Sequence, residues 1–76
     1  MDDDRARAMR HLFAILREAG SLTRDDRLAL YRFIVCRKDI YSTDDLDDIE
    51  VQTVIHTLRG WKADNRLTTM VRSAVL

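Results

Sequence analysis

The chemistry-bearing side chains of this chain crowd into one stretch. STDDLDDIE, residues 42–50, places five acids between Asp44 and Glu50. Carboxylates at that density suit three uses: oxygen ligands for a hard cation, a docking surface for a basic partner, or the opening of a helix. A calcium loop needs D-x-[DN]-x-[DN]-G and a later glutamate. Here the glycine is missing and the spacing differs, so no metal is expected. Asp47 and Glu50 instead fit D-x-x-E, a capping box in which each side chain accepts from the other's backbone N–H. Leu46 and Val51 stand where a hydrophobic staple would. Asp44, Asp45 and Asp48 are then the acids that the helix start does not require. They are the candidate acidic docking residues.

The remaining reactive groups are scattered. His11 and His56 are far apart in sequence, and Cys36 has no histidine motif beside it. No nucleophile–base–orienter set, zinc pattern or phosphate loop is present in the sequence. The expectation is therefore a non-enzymatic protein without a cofactor. The single cysteine excludes an internal disulfide and fits a reducing compartment. Its simplest reading is a small buried apolar residue.

Two polar or basic groups stand out. Arg10 and Arg17 fall nearly on one line of a first helix, with Arg7 and His11 beside them. Gln52, Thr53, His56, Thr57 and Arg59 share the polar face of a later helix, and such residues can read base edges. Its first turn, however, carries Asp47, Asp48 and Glu50, which phosphates repel. Arg10, Arg17, His56 and Arg59 are thus assigned first to a protein partner. A small DNA-binding regulator using helix 48–60 is the alternative.

The elements that must position these groups are helical. Seventy-six residues make one domain, 46% hydrophobic and 34% charged, with no proline and two glycines. Thirteen basic residues balance thirteen acidic ones, without the basic excess typical of a phosphate-gripping domain. The first helix is predicted over about Asp4–Ala19, with Met9, Leu12, Phe13, Leu16 and Ala19 as its buried stripe and Gly20 as its stop. Thr23 caps a second, running to about Cys36, with Leu28, Tyr31, Ile34 and Val35 inward and Leu30 and Phe33 widening the stripe. RKDIYS follows as a loop that tucks in Ile40 and Tyr41. A third helix carries Val51, Val54, Ile55 and Leu58 toward Gly60. Ala63, Leu67, Met70, Val71, Ala74 and Val75 form a last stripe, with Asp64 or Asn65 as its cap. So close to a chain end, Leu67, Met70, Val71, Ala74 and Val75 are the candidate oligomerisation residues.

The order HLFAILREAG, TRDDRLALYRFIV, STDDLDDIEVQTVIHTL resembles a helical module found in bacteriophage proteins. It is similar to the C-terminal segment of actinobacterial phage RecT/ERF-type single-strand annealing proteins, and GemA-like phage regulatory proteins show a comparable pattern. The resemblance spans roughly residues 9–62 and rests on core and cap positions. It implies an appended interaction module acting near DNA replication or recombination, without the annealing core and with no catalytic residues. That pattern often has a glycine before the basic residue that follows the second helix; Cys36 stands there in this chain.

These readings combine into a compact all-α, three-helix interaction domain over 1–62, followed by a C-terminal fourth helix over 63–76. The expected function is a bacteriophage accessory protein that docks a partner in host or phage DNA metabolism, with a homodimer allowed. A virion assembly subunit is the second alternative. No span reaches the ~20 apolar residues a membrane helix needs, and the acidic, then amphipathic, N-terminus is unlike a signal peptide. The expected location is the cytoplasm of a bacterial host.

Overall fold

The computed structural model describes residues 2–20 and 22–75, and in these every regular element is helical. Helix α1 spans Asp2–Glu18, α2 Arg24–Val35, α3 Asp48–Ala63 and α4 Leu67–Val75, with a 3₁₀ turn at Thr43–Asp45 before α3. The protein is the compact all-α domain that the periodicity predicts.

Local sequence explains where α2 and α3 start. At α2, Thr23 Oγ1 accepts from Asp26 N and Asp26 Oδ2 accepts from Thr23 N, both at 3.1 Å. At α3, Asp47 Oδ1 accepts from Glu50 N at 2.7 Å, and Glu50 Oε1 accepts from Asp47 N at 3.0 Å. Each box satisfies backbone donors that a helix start otherwise leaves open. The staple residues Leu46 and Val51 are both buried.

Three helices end on a left-handed residue. Gly20 (φ 122°) follows α1, Cys36 (φ 56°) follows α2 and Asn65 (φ 59°) follows α3. After α3, Arg66 N donates to Trp61 O and Asn65 N to Lys62 O, the paired bonds of a Schellman turn. Asn65 thus closes α3 instead of capping α4. Cys36 adopts the conformation glycine takes most easily, so α2 stops in the same way despite its side chain. It is exposed, contrary to the buried position expected of it. Gly60 does not end α3, which continues to Ala63.

The four helices share one core. Leu12, Ile15 and Leu16 of α1 and Ala19 just after it meet Leu28, Leu30 and Tyr31 of α2, Val51, Val54, Ile55 and Leu58 of α3, and Leu67 and Val71 of α4, with Ile40 and Leu46 from the connecting loop. Helix α3 is the hub, packing on α1, α2 and α4, while α2 also packs on α4. Ion pairs bind both ends of α1 to the matching ends of α3: Arg5 to Asp48 at 2.7 Å and Glu18 to Lys62 at 2.8 Å. The two helices therefore run parallel.

This packing corrects several expectations. Ile15, not Phe13, completes the α1 stripe; 12, 15, 16 and 19 also fit the helical repeat, and it is they that the core buries. Phe33 and Tyr41 are exposed, at 53% and 67%; only Ile40 tucks in. The most consequential correction concerns α4. Leu67 and Val71 are 7% and 2% exposed, Ala74 and Val75 pack on the same cluster, and Met70 is half-buried. The stripe expected to join two chains lies on α2 and α3 of its own chain. A bundle this small lacks core without it.

Candidate functional site

The acidic segment is held by arginines. Arg5 Nη1 donates to Asp48 Oδ1 at 2.7 Å, and Arg5 Nη2 donates to Leu46 O at 2.6 Å and to Asp44 O at 3.5 Å. From the other side, Arg37 Nη1 donates to both Glu50 carboxylate oxygens at 2.8 Å, and Arg37 Nη2 to Asp45 O at 2.8 Å. Its Nε lies 2.7 Å from Asp39 Oδ1. Earlier in the same loop, Arg32 donates to Ile40 O through Nε (3.0 Å) and Nη2 (2.6 Å), and Arg24 Nη2 donates to Tyr41 O at 3.0 Å. Four arginines thus serve carbonyls of residues 40–46. The reason is elementary: a loop pressed against a core has carbonyls that no helix ladder satisfies, and a guanidinium offers several donors at once.

The three acids left over at the helix start divide accordingly. Asp45 Oδ2 accepts from Tyr41 N at 2.8 Å and Ser42 N at 3.1 Å, closing the 3₁₀ turn. Asp48 pairs with Arg5. Asp44 is exposed, and among the described residues its carboxylate has no partner. Two of the three acidic docking candidates therefore have structural work: Asp48's partner lies 43 residues away, beyond what spacing reveals, whereas Asp45's lie only three and four residues back. Beneath the turn, Tyr31 is fully buried and its oxygen accepts from Thr43 Oγ1 at 3.1 Å. Burial pushes the Tyr31 hydroxyl above its ordinary pKa, while the Thr43 bond and the Arg27 charge oppose that shift. Among the described residues no three His, Cys, Asp or Glu side chains gather as a metal-holding group, and no helix is long and apolar enough to cross a membrane.

The basic candidates do not form one face. Arg10 and Arg17 lie on the back of α1, roughly 150° around the helix from Leu12 at 100° per residue. His56 and Arg59 lie on α3. All four are exposed, and among the described residues no hydrogen bond or ion pair joins the two pairs.

Arg17 does belong to a shaped surface. At the α1–α2 corner an open depression of about 610 Å³ is lined by Phe13, Leu16, Arg17, Gly20, Leu22 and Arg27. The Arg27 guanidinium sits 5.9 Å from the Phe13 ring centroid, within cation–π range. Arg27 Nη1 donates to Leu22 O at 3.4 Å, and its Nε is buried without a partner. The corner pairs an apolar floor, with Phe13 37% exposed, with two guanidiniums that no carboxylate neutralises among the described residues. Phe13 and Arg27 were missed as site residues because sequence spacing assigned Phe13 to the core. Periodicity held no deciding signal, since 9, 12, 13 and 16 fit the helical repeat as well as 12, 15, 16 and 19 do.

Fold and surface together define a small all-α domain with a braced acidic loop and an arginine-lined corner. No family model, curated protein or solved structure matches the chain.

Proposed function

We propose that this protein is a non-enzymatic interaction module of bacteriophage origin, working in the host cytoplasm beside DNA replication or recombination. Its α1–α2 corner receives an acidic, partly apolar segment of a partner protein. One observation carries the reading: Arg17 and Arg27 frame a depression floored by Phe13, Leu16 and Leu22, with no carboxylate among its lining residues. A partner carboxylate would meet two guanidiniums, and an adjoining apolar side chain would cover Phe13. Arg10, about two turns before Arg17 on α1, extends the basic edge. The likeness to phage annealing and regulatory modules supplies the DNA-metabolism setting.

The test is affinity capture from phage-infected host lysate with wild-type protein and an Arg10→Ala/Arg17→Ala variant. The expected result is capture of a replication or recombination protein by the wild type and its loss in the variant, with far-UV circular dichroism unchanged. Capture of no such protein, or equal capture by the variant, overturns the proposal.

The bracing of Asp48 and Glu50 favours a second reading, DNA binding through α3, because Arg5 and Arg37 offset charge that would repel phosphates. Titration with duplex and single-stranded DNA separates the two. DNA reading requires salt-sensitive affinity that falls with Arg59→Ala, whereas partner docking at the corner requires neither.

A further inference from the structure

Helix α3 carries a second surface, independent of the corner. Directly opposite its buried stripe, Ile49, Thr53, His56 and Gly60 form one line, and all four are exposed. Ile49 is 78% exposed, the most exposed large apolar side chain described. Thr53 Oγ1 donates to Ile49 O at 2.8 Å, so its hydroxyl is engaged with the backbone and its methyl is free to face outward. Gly60 lies inside the helix, where glycine is unfavourable, yet a Cβ there would meet nothing within 4 Å. Among the described residues nothing accounts for either the bare isoleucine or the glycine.

We infer that this line is the seam of a homodimer in which two α3 helices pair antiparallel, Ile49 of each copy seating on Gly60 of the other. The spacing four, three, four is a coiled-coil seam and reads the same from both ends. An antiparallel copy therefore sets Ile49 against Gly60 and Thr53 against His56, as a two-fold interface requires. Glycine leaves the hole that the isoleucine fills. Charge favours the reversal: Asp44 and Asp48 flank the Ile49 end, with Asp48 already paired to Arg5, and Arg59 and Arg66 flank the Gly60 end beside Asp64, so a net acidic end meets a net basic one. Parallel pairing would place like charges together and isoleucine against isoleucine. Three turns of one helix bury little area, so the dimer is weak and concentration-dependent.

Sedimentation of the full chain over roughly a hundredfold range of concentration tests this. Wild type should pass from monomer to dimer. Ile49→Asp should remain monomeric with unchanged helix content, since its side chain supports no core. Gly60→Ala should raise the thermal midpoint of the dilute protein while weakening the dimer at least tenfold, two effects of opposite sign that a merely structural glycine would not produce. Orientation is read in a Cys36→Ser background: chains carrying Thr53→Cys mixed with chains carrying His56→Cys should form the mixed disulfide faster than either self-disulfide. A wild type that stays monomeric, a dimer that survives Ile49→Asp, or faster self-disulfides each overturn the inference.

Discussion

Replacing Arg37 by alanine asks whether the acidic run is chiefly a brace. Arg37 Nη1 contacts both Glu50 oxygens at 2.8 Å and Nη2 contacts the Asp45 carbonyl at 2.8 Å. The Glu50 side chain is 16% exposed, so water is a poor substitute for the lost guanidinium. A charge-assisted hydrogen bond contributes about 1.5–3 kcal/mol and an exposed ion pair about 0–1 kcal/mol. Arg37 is itself 37% exposed, which screens the pair and places it between those limits. The Asp39 contact, 71% exposed on the acid's side, adds little. The expected loss is about 2 kcal/mol, and for a domain of this size the fall in Tm is roughly 8–16 °C. Glu50→Gln completes a double-mutant cycle, because glutamine keeps an acceptor for Asp47 N while losing the charge. Urea denaturation of the four proteins at constant m should give a coupling of about 1 kcal/mol. A coupling below about 0.3 kcal/mol, or an Arg37→Ala loss within about 0.5 kcal/mol of zero, refutes the bracing argument.

Four further outcomes follow from the same geometry. Arg5→Ala should cost about 1–1.5 kcal/mol and Asp48→Asn less than about 0.5, because the part-buried bond to Leu46 O outweighs a pair whose acid is 84% exposed; equal losses in chemical denaturation would refute that ranking. Cys36→Gly should stabilise by about 0.5–1 kcal/mol, relieving a left-handed residue against some added unfolded-state entropy, and an unchanged urea midpoint would contradict it. Tyr31 has a raised folded pKa, so its contribution is complete below the unfolded value of 10.0 and falls as pH rises from there toward the folded value; melting curves above pH 10 should show that loss, and Tyr31→Phe should remove this component. Val71→Ala should cost about 2 kcal/mol at any protein concentration, whereas a destabilisation that disappears on dilution would return the α4 stripe to an intermolecular role.

Much of the architecture was legible because it is local. Thr23 with Asp26 and Asp47 with Glu50 are three residues apart, and their reciprocal bonds need only one turn of chain. The same holds for the stripe Val51, Val54, Ile55 and Leu58, which is buried as its period requires. Phe13 was misplaced because hydrophobicity alone does not choose between neighbouring positions at the edge of a stripe. Arg27 from the next helix now lies near that ring.

The chain's own order of residues determined that it is all-helical, where α2 and α3 open and most of which faces are apolar, since caps and periodicity act within a few residues. Only the tertiary structure decided which partner each face and charge would meet. It brought Arg5 to Asp48 across 43 positions, turned Leu67 and Val71 into the common core, and left Ile49 uncovered. Each helix offers one apolar stripe, and the packing of four stripes determines which residues remain outside. That choice is a global minimisation of exposed apolar surface, and no local pattern contains it.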